Sequence, residues 1–180
     1  MRRPIGLSLV YRLLNPGPVV LVSSLYKGRA GITPIAWHMP ISDDPPVIAL
    51  EIWKGHFIYK AIEATGDFVI NIPSSEMVKT VRDLGSVSAG KVDKFRKYNL
   101  REETAGKVKS PRLKSAIAVI ECKLRRDTRL FKKYGIVIGR AVYAEAEDSV
   151  FTDRWHPERS GPRIMQHLGN RIFSVAERLA

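Results

Sequence analysis

One cysteine, Cys122, is the only thiol in this 180-residue chain. A single thiol excludes an intramolecular disulfide and any zinc site built on several thiolates, and it fits a reducing cytosol. The four histidines, His38, His56, His156 and His167, are scattered. They form neither an H-E-x-x-H motif nor an i,i+4 pair, so no metal site is expected. A G-x-S-x-G elbow is absent as well, which removes the common serine-hydrolase arrangement. Long apolar runs are missing. The longest uncharged stretch, Leu13 to Tyr26, has 14 residues and contains Pro16 and Pro18, against the roughly 20 apolar residues of a membrane helix. Arg2 and Arg3 before an apolar stretch resemble a secretion leader, but Arg12 interrupts it and no small-residue cleavage site follows. No repeat, low-complexity tract or linker divides the sequence. The expectation is one cytoplasmic domain over residues 1–180, with its core from about 14 to 175 and no membrane contact.

Hydrophobic residues at 44% and charged residues at 27% give a globular composition. A chain of this length buries roughly 70% of its unfolded surface and folds without covalent staples. The net charge of +12 is uneven. Residues 91–140 hold 16 basic and 5 acidic side chains. Such a block attracts nucleic acid, a phosphorylated cofactor or an acidic protein, or it is simply a solvated face.

Alternation and short apolar runs predict strands at Val19–Tyr26, Ile32–Met39, Val47–Trp53, Phe68–Ile72, Ala116–Leu124, Ile136–Ala146 and Arg171–Val175. In Ala116–Leu124 the face carrying Ala118, Ile120, Cys122 and Leu124 is the expected buried one, which makes Cys122 a core thiol. Helices are expected from Phe57 to Ala64, ended by Gly66, and from a Ser74 or Ser75 cap through Met77, Val78, Val81 and Leu84 to Gly85. A short third helix is expected within Asp93–Tyr98. Many strands with few helical links point to an antiparallel barrel or an α+β sheet, and not to a doubly wound nucleotide fold.

Gly85 to Val92 matches G-x-x-x-x-G-K but ends in Val92, where a P-loop needs a magnesium-binding hydroxyl. Carboxylates rarely sit in apolar runs. Glu51 is the exception, and it reads equally as a barrel-mouth, dimer-contact or catalytic group. With no catalytic side-chain set in view, a cofactor would have to carry any chemistry. The strand Gly31-Ile32-Thr33-Pro34-Ile35-Ala36-Trp37-His38 has small residues against which a flat ring can lie, although a core strand with a packed tryptophan has the same pattern. Trp53-Lys54-Gly55-His56 then leads into a helix start, which offers N–H groups and a positive dipole end to a phosphate. The order suggests a phosphorylated aromatic ligand laid across two strands.

Several stretches resemble the flavin reductase-like, flavoredoxin-type family: Ile32 to Ser42, Pro45 to Leu50, Thr65 to Pro73, Ser88 to Phe95, Ala118 to Lys123 and His167-Leu168-Gly169. The resemblance implies a mainly β fold, an FMN-binding split barrel of Greek-key antiparallel strands, usually a homodimer with the flavin near the subunit interface. It implies non-covalent FMN, reduced by NAD(P)H or exchanging electrons with a redox protein partner. Carried over by position, Thr33, Pro34, Ile35, Ala36, Trp37 and His38 would lie along the isoalloxazine ring. Trp53, Lys54, His56 and Phe57 would wrap the ribityl phosphate, Lys91 or Lys94 would supply its counter-charge, and Phe173 would lie near the ring. The chain departs from the family at Ile58, which has no hydroxyl for the phosphate, and at Asn170, where a second glycine is usual. The rival reading from another class is a basic β-barrel that binds nucleic acid without a flavin. The few aromatics in its basic block, Phe95, Tyr98, Phe131 and Tyr134, weigh against it.

Overall fold

The structure is a computed structural model and describes residues 17–126 and 128–176. Seven antiparallel strands form its main sheet: β2 (Val20–Tyr26), β3 (Arg29–Ile35), β4 (His38–Ser42), β5 (Val47–Glu51), β6 (Asp67–Ile72), β9 (Ala118–Arg125) and β10 (Ile136–Ala146). Their spatial order is β3-β2-β6-β9-β10-β5-β4. The two edge strands, β3 and β4, are therefore neighbours in sequence, joined only by Ala36 and Trp37. The sheet curls until its edges meet at that joint, giving a barrel split along one side. The predicted single strand Ile32–Met39 is thus two strands with a corner between them. Pro34 and Pro40 cannot donate to a ladder, so each suits an edge.

Val20, Val22, Leu50, Ile52, Phe68, Ile70, Cys122 and Val137 fill the interior. Helix α1 (Phe57–Thr65) closes one end by inserting Ile58, Tyr59 and Ile62. Tyr59 stacks on Phe131 with ring centroids 4.3 Å apart. Gly66 ends α1 in the left-handed conformation, φ 77°, and its N–H reaches the Ile62 carbonyl at 2.9 Å. A second core lies outside the barrel, where Leu21 and Ile32 meet Val81 and Leu84 of α2 (Val78–Ser86), Phe95 of α3 (Lys94–Lys97) and Met165. Strand β2 faces both cores, which explains its almost unbroken apolar run. A 3₁₀ turn, Ser75–Met77, precedes α2. Neither expected serine caps that helix through its side chain. Ser74 bridges Ile164 and Ser75 N–H donates to the Arg163 carbonyl at 2.7 Å, so both serve the chain crossing above them.

Strand β9 departs from the expected one-sided burial. Cys122 is fully buried as predicted, but Val119 and Glu121 on the other face are buried too. The covering element is the segment 104–113, which follows β7 (Glu102–Glu103) and ends in its partner strand β8 (Arg112–Leu113). Three outward side chains of the barrel hold it. Glu121 accepts from the N–H groups of Gly106 at 2.9 Å and Lys107 at 2.6 Å. Asp67 accepts from those of Lys109 and Ser110, and Asn71 from that of Leu113 at 2.7 Å. Arg112 completes the set with an ion pair to Glu121 and another to Glu145 at 2.9 Å. Burial pushes the Glu121 carboxyl up, but the Gly106 N–H and Arg112 outweigh it and leave its pKa below the usual range. Short strands β1 (Gly17–Pro18), β11 (Met165–Gly169) and β12 (Ile172–Val175) make a second sheet beside the split. Helix α4 (Thr128–Tyr134) links β9 to β10. Among the described residues no helix is long and apolar enough to cross a membrane.

Candidate functional site

The corner between β3 and β4 is the floor of a groove made of three adjoining cavities, and Pro34 lines all three. The first, about 230 Å3, lies under the β11–β12 hairpin and holds Ala36, Arg82, His167 and Phe173. The second, about 430 Å3, contains Ile35, Trp37, Glu51, Trp53 and Asn170. The third, about 310 Å3, is bounded by Thr33, the start of α1 at Gly55 to Ile58, the loop Gly85 to Ala89, and Lys94.

The third cavity gathers groups that favour an anion. No side chain caps α1 and no acidic residue stands in its first turn, so its leading N–H groups and dipole are uncompensated. Lys94 lies beside them, only 2% exposed, with Nζ donating to the Leu84 carbonyl at 2.6 Å. Burial pushes its pKa down to about 8. His56 Nδ1 is buried without a hydrogen-bond partner. Burial first, and the Lys94 charge second, hold that imidazole below its ordinary pKa. A buried cation and an unpartnered imidazole nitrogen at an open helix start together favour a phosphate-sized anion. Ile58 is 1% exposed and turned into the barrel core, so this position offers a backbone N–H and no hydroxyl.

Phe57 opens α1 and packs its ring on Gly31, where a Cβ would come within 2.5 Å of it. Tyr26 meets the ring edge-on at 5.9 Å and the Arg29 guanidinium covers it at 4.7 Å. Trp53 folds over Gly55 and packs edge-on against His56 at 5.3 Å.

Of the thirteen positions singled out in the sequence, ten line the groove: Thr33, Pro34, Ile35, Ala36, Trp37, Trp53, His56, Phe57, Lys94 and Phe173. Three do not. His38 begins β4 and its Nε2 hydrogen-bonds the Pro18 carbonyl at 3.0 Å. Lys54 donates to the Lys132 carbonyl at 2.9 Å and lines none of the three cavities. Lys91 is exposed on the loop before α3 and does not line any of the three cavities. Sequence reasoning left Arg82 and Arg171 unremarked and gave Glu51 no place in the groove. The Glu51 signal was present, as a carboxylate closing the apolar run 47–50.

The profile of the family described as "Flavin reductase like domain" matches residues 11–161. Protein YddH of Escherichia coli (strain K12) is 32% identical over 94% of this chain and 92% of its own. Two solved structures share the fold. An FMN-binding domain of a flavin reductase-like enzyme from Shewanella baltica OS155 has a TM-score of 0.87 at 24% identity, covering 98% of this chain and 94% of that one. Flavoredoxin of Desulfovibrio vulgaris (Miyazaki F) has a TM-score of 0.84 at 24% identity, covering 100% and 96%.

Proposed function

As this chain belongs to the flavin reductase-like family, we propose that it is a flavoprotein that binds FMN non-covalently in the groove at the β3–β4 corner. The observation that carries this reading is the pairing of a flat, small-residue floor with an anion-ready end. Residues 33–37 provide the floor, and the open start of α1, His56 and Lys94 provide the end. Bound there, FMN supplies hydride and electron transfer, chemistry that the side chains of the groove do not offer by themselves. The chain's part is to hold the phosphate, seat the ring against Pro34 and Ala36, and keep water off one face with Trp37 and Trp53.

The electron source proposed is NAD(P)H, with a redox protein as the alternative partner, and the assembly proposed is a homodimer. The nucleic-acid reading loses support from the basic block itself. Lys94 and Arg112 are buried, and so are Phe95 and Phe131. Tyr98 is half-buried with its hydroxyl on the Asp83 carbonyl. Of the four aromatics in the block only Tyr134 is openly exposed, too few to stack successive bases.

Titrating the purified protein with FMN tests the proposal. The expected result is saturable quenching of flavin fluorescence at about one FMN per chain and a raised melting temperature. No binding at micromolar FMN overturns it.

A further inference from the structure

The groove absorbs little of the basic block, since of residues 91–140 only Lys94 lines any of its three cavities. Other bases of the block gather on the opposite wall. Strand β9 is the central one of seven, so its outer face lies across the barrel from the seam. There Lys123 stands directly opposite Arg140 in the β9–β10 register. Arg125 follows two residues on, on the same face and roughly 7 Å along the strand. Like charges paired across strands destabilise a sheet. The only carboxylates of β6, β9 and β10 are Asp67, Glu121 and Glu145, and each is already committed. Asp67 is the register partner of Lys123, yet its oxygens accept from the Lys109 N–H at 3.0 Å and the Ser110 N–H at 3.1 Å. Glu121 holds Gly106, Lys107 and Arg112, while Glu145 holds Arg112 and the Tyr143 hydroxyl. The covering segment thus takes up the negative charge of this wall with its backbone and leaves its own Lys107 and Lys109 exposed. Lys123, Arg125 and Arg140 are exposed as well, and among the described residues none of the five bases makes an ion pair.

From Lys107, Lys109, Lys123, Arg125 and Arg140 on one wall whose carboxylates are spent, we infer that this face docks an acidic segment of another protein, an extended stretch rich in Asp and Glu. Alternate side chains of an extended peptide repeat at roughly 7 Å, which is the spacing of Lys123 and Arg125. A carboxylate set between Lys123 and Arg140 relieves their repulsion. Other occupants fit less well. A second copy brings the same positive wall in a chain of net charge +12. Single-stranded nucleic acid needs rings on which to stack. Tyr143 is the one openly exposed large apolar side chain of β9 and β10, and the Arg112 guanidinium covers its ring at 4.9 Å. For the same want of apolar side chains, this wall has nothing to insert into a lipid surface. Docking here leaves the groove open, so the inference is independent of the flavin reading.

The test uses a rhodamine-labelled oligoglutamate as probe, read by fluorescence anisotropy at low salt. Single-stranded DNA, duplex DNA and anionic phospholipid vesicles serve as competitors at matched charge concentration. Oligoglutamate should bind saturably, weaken steeply as salt is added, and stay bound at saturating FMN. The double change Lys123→Gln, Arg140→Gln should weaken it by about threefold to tenfold, as expected of two exposed charge contacts. The same variant should melt no lower than the parent, because a like-charge pair is removed. Lys107→Gln with Lys109→Gln alters two exposed side chains whose residues are held through backbone N–H groups. It should weaken the peptide to a similar extent, and it provides an independent check if the first variant proves unstable. Lys60→Gln with Lys97→Gln removes two exposed charges elsewhere and should leave binding unchanged. No binding, or equal losses in the wall and control variants, means a solvated face and overturns the inference. Displacement by FMN overturns it too, and preferential displacement by DNA or vesicles overturns it in favour of that polyanion.

Discussion

Lys94 carries a charge that its surroundings barely answer, since its ammonium meets a carbonyl oxygen and, among the described residues, no carboxylate. Its pKa, lowered to about 8 by burial, lies below the 10.5 of the unfolded chain. Between those values the unfolded state binds more protons, so this residue's effect on stability improves as pH rises through that window. A phosphate in the third cavity reverses the preference by favouring the protonated form. FMN affinity should therefore fall as pH rises above about 8, whereas riboflavin, which has no phosphate, should be indifferent; His56 stays neutral throughout this range. Lys94→Met should weaken FMN by about tenfold to a hundredfold, the worth of one charge-assisted contact, and leave thermal stability no lower than the parent's. Parallel FMN and riboflavin titrations with a melting curve decide this, and unchanged FMN binding would remove Lys94 from the site. Sequence alone left Lys91 and Lys94 equivalent. Asp93 separates them, because its side chain caps α3 at the Arg96 N–H, 3.0 Å away, and Lys94 then turns inward. Glu121 was illegible for a related reason: alternation shows which residues share a face, but not that segment 104–113 would cover the second face.

At the scale of elements, Gly31 ties β3 to α1. Any side chain there must displace the Phe57 ring, which would lie 2.5 Å from its Cβ. Gly31→Ala should cost about 1–3 kcal/mol, as overpacking in a filled interior does. Because Phe57 is the first residue of α1, the same change should also lower FMN affinity severalfold. Chemical denaturation beside an FMN titration checks both, and a variant as stable as the parent would mean that Phe57 has room to move. The long strands and α1 were legible because each carries enough apolar alternation or a clear stop signal, as at Gly66. Strands β1, β7 and β8 have two residues each and no periodicity to read. Helix α4, Thr-Arg-Leu-Phe-Lys-Lys-Tyr, buries Phe131 and presents bases elsewhere, so in sequence it reads as surface charge. The corner at Ala36–Trp37 was hidden because both flanks favour strands and only the closure of the sheet bends the chain there.

Over the whole molecule, the edge strand β4 exposes Met39 at 58% and Ile41 at 48%, and the neighbouring hairpin exposes Ile172 at 58%. An apolar, unpaired edge of this kind is ordinarily covered by another chain, and this is the basis for the homodimer proposal. Sedimentation or light scattering should give twice the chain mass of 20.3 kDa, and the double change Met39→Lys, Ile41→Lys should return it to one. A parent particle of one chain mass at micromolar concentration would refute the dimer. The barrel type was accessible from sequence through family resemblance, whereas which surfaces stay bare depends on how distant segments pack.

The seam of the barrel has a mechanical meaning. Its two lips are consecutive strands stitched by a two-residue thread, and that thread is also the bed of the groove. A molecule lying across residues 34 to 37 would therefore touch both lips at once. The bed of the groove and the joint of the barrel are thus the same two residues.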